Sequence, residues 1–359
     1  MIILYSISAL LVLLYLMYPL WLMLFTRCND DHELETDEIK SVSLILLSHN
    51  GRQYLEEKIN FLLKELSVFK DFEMLIIDDH SSDGSQELLS RFEGRENIRL
   101  MLQERHMGIP HSMNMGIHQA QNKHIIFCDQ RQRLSENIIQ KIVEPLRYKQ
   151  VGAVSGCISH LDKSQCCSWV RKHENYIKSI ESKSGNLIGV YGPFYAIKKD
   201  CYSPIPDDIV LDDLYLSIKI IQSKQVRILT DCRIIEDGFS ALYDYKRAKR
   251  YVLGFLQLLK ERNFIRPLKL NQVTMLFWHK YLRLLIPISL FISYIGTGIK
   301  GITDIEYMIA FLILTTIGAL SLIPRYKIKF KLANLICVNI FYLLALSDIT
   351  LHEVFYKKA

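Results

Sequence analysis

The sequence predicts an α/β domain, a mixed and mainly parallel sheet flanked by helices, accompanied by transmembrane helices. Three observations predict it. Short apolar runs alternate with amphipathic stretches from Val42 to Cys128, the order that produces βαβ units and a parallel sheet. Two of the runs, Leu75-Ile76-Ile77-Asp78-Asp79 and His124-Ile125-Ile126-Phe127-Cys128-Asp129, end in aspartate. Ligands of open α/β sheets bind outside the carboxyl ends of the strands, so acids placed there face a ligand rather than a core. Finally, long uncharged apolar segments lie on both sides of the α/β pattern.

Of 359 residues 50% are hydrophobic, and the mean hydropathy of +0.12 is high for a wholly soluble chain. Met1–Thr26 carries no charged side chain, more than the roughly 20 apolar residues that cross a bilayer. Residues 1–27 therefore read as a transmembrane helix; a cleaved signal peptide would have a basic start and a shorter core. An acidic linker follows at 28–40, then the α/β domain at 41–265 and an interfacial basic, amphipathic segment at 266–283. A membrane region at 284–359 holds three apolar stretches, Leu284–Ile299, Tyr307–Ile323 and Leu332–Ser347, each near the lower limit of about 17 residues for a span. Lys and Arg crowd the loop Arg325–Lys331 and avoid Thr303–Glu306, which predicts a multi-pass protein with a cytoplasmic middle domain. The net charge of +6 is modest and much of it flanks the membrane segments, so lipid headgroups account for it without nucleic acid. Eight cysteines without a C-x-x-C pair, two of them adjacent at Cys166 and Cys167, predict reduced thiols rather than a zinc site or a disulfide framework.

Along the domain the spacing predicts strands at Val42–Leu47, up to Asp78, at Ile98–Leu102 and at Ile125–Cys128. Helices are expected through Leu55, Ile59, Leu62 and Leu66, over Gln86–Phe92 and near Ser112–Gln121. Beyond Asp129 come Gly152–Ser159, a helix-like Trp169–Ser182, the glycine- and aromatic-rich Gly189–Ile197, a helix opening at Asp212-Asp213, a strand Val226–Leu229 and a basic helix Tyr243–Glu261.

Each constellation has a plain reading beside a chemical one. Asp78-Asp79-His80-Ser81-Ser82-Asp83-Gly84 can cap the next helix, or the doubled acid can meet a nucleobase imide or a metal. Asp129-Gln130-Arg131 can hold Mg²⁺ or Mn²⁺ jointly with a diphosphate, since hard ions prefer carboxylate and phosphate oxygens. Asp212-Asp213 can complement a helix macrodipole or supply a general base. Arg247 and Arg250 share a helical face that can rest on a membrane or support a departing diphosphate.

Taken in order, these motifs resemble the inverting family-two glycosyltransferases of GT-A fold, particularly membrane-anchored bacterial polysaccharide-type enzymes. Ser48-His49-Asn50 resembles that family's first-strand loop, Asp78 to Asp83 its D-D-x-S-x-D motif, and Asp129-Gln130-Arg131-Gln132 a variant of its D-x-D element. Gly192-Pro193-Phe194-Tyr195-Ala196-Ile197-Lys198-Lys199 is similar to its acceptor-side G-x-x-Y-A-I-R-R run. Leu211-Asp212-Asp213 is similar to the segment that ends in the catalytic base, Arg247–Tyr251 to Q-x-x-R-W, and His279-Lys280 with Arg283 to H-K-x-x-R before the membrane.

The resemblance implies a GT-A nucleotide-sugar-binding domain at the inner face of a bacterial-type plasma membrane. Catalytic roles fall on Asp213, Asp212 and Arg250. Substrate binding falls on Ser48, His49, Asn50, Asp78, Asp79, Asn114, Asp129, Arg131, Gly192, Tyr195 and Arg247, and a divalent cation, Mg²⁺ or Mn²⁺, on Asp129. The implied donor is a nucleotide-sugar such as a UDP-sugar, and the implied acceptor a lipid-linked or growing glycan, in a complex with other glycan-synthesis proteins. Arg131 stands where D-x-D has its second acid, Ile109 where a lysine often follows the glycine, and Arg247 and Tyr251 where Q-x-x-R-W has Gln and Trp. These departures keep two alternatives in view: a processive synthase of the cellulose, chitin or hyaluronan type, and a catalytically degenerate binding subunit.

Overall fold

The computed structural model describes residues 1–25, 33–36, 38–160, 167–236, 241–321, 339–340 and 342–349. They form two compact units, one of residues 26–161 and 171–237, the other of 1–25, 162–170 and 238–359. The expected Arg325–Lys331 loop, Cys166, residues 28–32 and 37 of the linker and much of the stretch Leu332–Ser347 lie outside the described residues.

The first unit is an α/β sheet. Its strands are β1 (Ser41–Ser48), β2 (Asp71–Asp78), β3 (Ile98–Leu102), β4 (His124–Asp129), β5 (Arg133–Leu134), β6 (Val151–His160), β7 (Phe194–Lys198) and β8 (Gln225–Glu236), in the order β3-β2-β1-β4-β7-β6-β8-β5. β3, β2, β1 and β4 are mutually parallel, as the alternating pattern predicts. β7 then runs antiparallel between β4 and β6. This insertion makes the sheet mixed, and it has a structural consequence: a segment from well downstream of β4, just before Phe194, is laid against the carboxyl end of β4.

Ile45, Leu46, Leu75, Ile76, Ile125 and Ile126 are fully buried, because β1, β2 and β4 are covered on both faces and so read as continuous apolar runs. The second unit contributes α1 (Ile2–Phe25); the sheet carries α2 (Arg52–Leu66), α3 (Ser85–Leu89), α4 (Ile109–Gln119), α5 (Ile138–Val143), α6 (Cys167–Lys183) and α7 (Asp212–Ile221). The helix expected over Gln86–Phe92 is shorter than predicted, with a 3₁₀ turn taking over at Ser90–Phe92. β5 and α5 carry too few residues to give a periodic signal and were not foreseen.

Gly116 of α4 lies directly on the sheet: an added Cβ would stand 2.9 Å from Ile45 Cγ2 and 2.9 Å from Ile77 Cδ1. Four described cysteines, Cys128, Cys157, Cys201 and Cys232, are free thiols, and burial pushes Cys128 up to about 11, so its thiolate is disfavoured.

The second unit is helical, continuing with α8 (Ala241–Lys260), α9 (Arg262–Ile265), α10 (Leu270–Leu276), a π-helical turn Phe277–Tyr281, α11 (Leu282–Gly301) and α12 (Ile305–Ser321). Two described helical runs, Ile2–Phe25 and Leu270–Gly301, are long and apolar enough to cross a membrane; α12 is shorter in its apolar part, Ile305–Ile317. α1 and α11 are joined by hydroxyl pairs, Tyr5 to Thr297 at 2.7 Å and Ser8 to Ser293 at 2.9 Å. Gly298 and Gly301 bring α12 close, since a Cβ there would reach Phe311 and Met308 at 2.8 and 2.9 Å.

One prediction follows from the α4 contact. Gly116→Val should lower unfolding stability by about 1–3 kcal/mol through overpacking against β1 and β2, measured by denaturant unfolding of the full chain in detergent; an unchanged midpoint would show that α4 does not press on the sheet.

Candidate active site

The carboxyl ends of β1, β2 and β4 lie side by side, with Ser48 paired to Asp78 and Leu47 to Asp129 in register. Two residues with non-glycine side chains adopt positive φ at these ends, Asn50 (47°) and His80 (58°). Asn and His tolerate the left-handed region better than most residues, and such conformations persist where surrounding bonds over-determine them. Here Asn50 N–H donates to Ser81 Oγ at 2.8 Å and Asn50 Oδ1 accepts Ser82 N–H at 2.8 Å, so the two loops fix each other.

The paired acids of β2 have different surroundings. Asp78 is fully buried and accepts Ser48 Oγ (3.2 Å), Ser81 Oγ (2.6 Å), Ser81 N–H (2.9 Å) and Gln86 Nε2 (3.1 Å). Asp79 accepts the Met107 and Gly108 amides at 2.7 and 2.8 Å and His106 Nδ1 at 2.8 Å. Asp83 caps two helices, accepting Arg52 N–H at 3.0 Å and Ser85 N–H at 3.1 Å. Burial raises its carboxyl, but the Ser85 hydroxyl and these amides outweigh that and hold it below its ordinary range. The capping reading of the Asp78–Asp83 turn and the ligand-loop reading are therefore compatible: the caps shape the loop that faces the crevice.

His49 donates from Nδ1 to the Asp79 carbonyl at 2.7 Å, which fixes the tautomer and lets Nε2 accept the Asn50 amide at 3.0 Å. His106 lies against it, ring centroids 4.4 Å apart. Together His49, Asp79 and His106 place one donor atom each within 4.8 Å of one another, a set whose chemistry fits a divalent ion. His106 was not foreseen; its only trace in the sequence is its place two residues before Gly108.

Asp129 is the more open carboxylate. It is partly exposed, and its own turn reaches it through Arg131 N–H at 3.2 Å and the Arg131 guanidinium at 3.4 Å. An exposed carboxylate at a strand end suits the hard-ion chemistry of Mg²⁺ or Mn²⁺, while Arg131 places a permanent cation beside it. Gln130, also unforeseen, anchors this turn. It is 4% exposed, donates to the His49 carbonyl at 2.7 Å, and fills the space a side chain at Gly51 would need, its amide lying within 2.3 Å of where that Cβ would stand.

Asp129 N–H donates to the Pro193 carbonyl at 2.8 Å. Next to Pro193, an added Cβ on Gly192 would stand 3.3 Å from Asp213 Oδ2. Asp129 is thus bonded to the Gly192–Pro193 turn, and that turn passes close to Asp213 at the first turn of α7. The other Asp213 oxygen, Oδ1, accepts Leu214 N–H at 2.7 Å. Asp212 beside it is buried.

Two residues expected to touch substrate, Tyr195 and Asn114, have their side chains engaged within the protein. Tyr195 is 1% exposed and packs on Phe127 at 5.1 Å; burial, with the charges of Asp212, Tyr202 and Asp213, drives its phenol well above its ordinary range. Asn114 spends its amide on the Ile205 carbonyl (2.7 Å), Ile205 N–H (3.0 Å) and Tyr202 hydroxyl (2.7 Å), clamping α4 to the 202–205 loop. Arg247 and Arg250 belong to the other compact unit, on α8, where Arg247 Nε donates to Tyr251 Oη at 3.2 Å.

Residues 43–201 match the model of Glycosyl transferase family 2. Curated relatives include Glycosyltransferase GlyG of Streptococcus pneumoniae serotype 4 (strain ATCC BAA-334 / TIGR4), 28% identical over 124 residues, which cover 34% of this chain and 40% of that protein. Poly-beta-1,6-N-acetyl-D-glucosamine synthase of Staphylococcus aureus (strain COL) is 23% identical over 202 residues, 54% of this chain and 48% of that one. The chain thus spans less than half the length of each. A solved mannosyltransferase, PcManGT from Pyrobaculum calidifontis in complex with GDP-Man and Mn2+, superposes with a TM-score of 0.72 at 19% identity, covering 95% of this chain and 98% of that one, which establishes a shared GT-A fold. Residues 43–201 therefore carry a Glycosyl transferase family 2 domain, whose strand ends bear Asp78, Asp79 and Asp129.

Proposed function

We propose that this enzyme transfers a sugar, with inversion, from a nucleotide-sugar such as a UDP-sugar to a hydroxyl of a lipid-linked or growing glycan. The observation that carries the reading is that Asp129 is bonded to the Gly192–Pro193 turn and that this turn passes close to Asp213, because a single displacement needs a leaving-group site and a base on opposite sides of one anomeric carbon. In this reading the nucleotide lies over the Ser48-His49-Asn50 and Asp78–Asp83 loops, with the His49 ring available to the base.

Asp213 acts as the base. Its Oδ1 is held by the Leu214 amide, so Oδ2, which faces Gly192, takes the acceptor proton as the hydroxyl oxygen bonds to the anomeric carbon. The bond from that carbon to the diphosphate breaks, and its electron pair leaves with the nucleoside diphosphate. Arg131 lies where the departing charge develops. A divalent cation held by Asp129 would supply further charge neutralisation there. Relatives named for polysaccharide synthesis support a glycan acceptor. The helices Ile2–Phe25 and Leu270–Gly301 support attachment at a membrane, with the catalytic unit on the cytoplasmic side where nucleotide-sugars are made.

Three measurements test this reading on the purified full chain in detergent, with a panel of UDP- and GDP-sugars and a membrane-lipid glycan extract as acceptor. Asp213→Asn should lower transfer by about 10²–10⁴-fold while nucleotide binding is kept; wild-type turnover would reject Asp213 as base. Gly192→Ala should reduce transfer, with nucleotide affinity unchanged, because the new methyl meets Asp213 Oδ2; unchanged transfer would show that this side of the carboxylate is not used. Removal of divalent ions by chelation should abolish tight nucleoside diphosphate binding in the wild type, and Asp129→Asn should weaken the restoration by Mn²⁺ about 10–100-fold. Equal restoration in both proteins would place the ion elsewhere.

A further inference from the structure

Residues Leu187–Tyr191 have no regular secondary structure and are nonetheless buried. A buried irregular segment must find partners for its backbone groups outside any ladder. Here side chains supply them. Glu181 Oε2 accepts Ile188 N–H at 3.1 Å, Lys178 Nζ donates to the Gly189 carbonyl, Ser217 Oγ accepts Val190 N–H at 2.9 Å, and Ser155 Oγ accepts Tyr191 N–H at 2.8 Å. Asn175 Oδ1 accepts the Tyr191 hydroxyl at 2.6 Å, and the Lys178 ammonium lies 4.2 Å from the centre of the Tyr191 ring. Asn175, Lys178 and Glu181 recur every third residue of α6 and so share one face of it. Glu181, Lys178, Ser155 and Ser217 are each 2% exposed or less, where a lost partner leaves a polar group stranded.

One of these side chains also touches the turn that carries the proposed base. Ser217 Oγ, while accepting Val190 N–H, donates to the Asp213 carbonyl at 2.6 Å. Two residues after Val190, Gly192 stands close enough to Asp213 that an added Cβ would lie 3.3 Å from Oδ2. The segment is therefore bonded to the Asp213 backbone through Ser217 and runs on past the Asp213 carboxylate at Gly192.

We propose that Ser217 is a positioning residue for glycosyl transfer: its hydroxyl couples the 188–193 segment to the Asp213 turn, and so sets where the acceptor hydroxyl stands relative to the base. The proposal rests on the reading of Asp213 as that base. Because Ser217 is bonded to the Asp213 turn, the acceptor side in this reading, it acts on the choice between glycan and water as acceptor and leaves nucleotide binding alone.

The test uses Ser217→Ala in the full chain in detergent, with Lys178→Met and Tyr191→Phe as variants that loosen the same segment from α6. Three quantities are read: hydrogen exchange of the 188–191 amides, Mn²⁺-dependent binding of UDP and GDP, and the partition of sugar released from each panel donor between glycan-linked and free sugar. Ser217→Ala should speed exchange at 188–191 but not in β4, leave nucleotide binding within about twofold, and shift the partition toward free sugar by about tenfold, a local misplacement effect. Ser217→Thr, which keeps the hydroxyl, should restore the partition. A merely structural role would lower nucleotide binding and both products together, and that result overturns the proposal. Unchanged exchange and partition in Ser217→Ala overturn it as well. Should that variant fail to fold, Tyr191→Phe decides: a wild-type partition there overturns the proposal. Active Asp213→Asn would instead reject the base assignment, whereas inactive Asp213→Asn with a wild-type partition in Ser217→Ala rejects the coupling alone.

Discussion

The hydrogen bond from Asp129 N–H to the Pro193 carbonyl is the constraint on which the site depends. It exists because β7 enters an otherwise parallel group of strands in the antiparallel sense, next to β4. A parallel strand in the same place would have put the preceding turn at the amino end of β4. With β7 reversed, the chain arriving at Phe194 passes the carboxyl end of β4, so Pro193 and Gly192 lie beside Asp129 and in front of α7. Acids separated by 84 positions in sequence, Asp129 and Asp213, are brought together by one strand direction.

The remaining loops are held by a second principle: polar groups that do no chemistry fix those that can. Asp83 caps α2 and α3, Asp78 collects four donors, Gln130 ties the Asp129 turn to the first loop, and Asn114 ties α4 to the 202–205 segment. The strained φ values of Asn50 and His80 are tolerable because these bonds leave no relaxed alternative. Among the groups open to solvent at these strand ends are the Asp129 carboxylate with Arg131 and the histidines His49, His80 and His106. A site built this way is preorganised, which is how electrostatic stabilisation of a departing diphosphate becomes effective.

Much of this was legible in the sequence where local physics decides it. Apolar runs ending in aspartate located β2 and β4, and the doubled acid after Leu211 located the start of α7, because strand ends and helix starts leave composition signals. The sense of β7 was not legible, since Gly189–Ile197 reads the same in either direction. Nor were β5 and α5, whose few residues show no period. Gln130 and His106 were missed for one shared reason: their partners His49 and Asp79 lie 81 and 27 positions away, and nothing in their own neighbourhoods records them. Tyr195 and Asn114 show the converse: each stands in a legible motif, yet Tyr195 is buried against Phe127 and the Asn114 amide is taken up by the 202–205 segment.

The most direct test of the central claim is a structure of the full chain with a UDP-sugar and Mn²⁺ bound. The account predicts the diphosphate and its ion at Asp129, with the anomeric carbon between that carboxylate and Asp213, over the Gly192–Pro193 turn. A nucleotide bound at another edge of the sheet, with Asp213 directed away from the sugar, would contradict it.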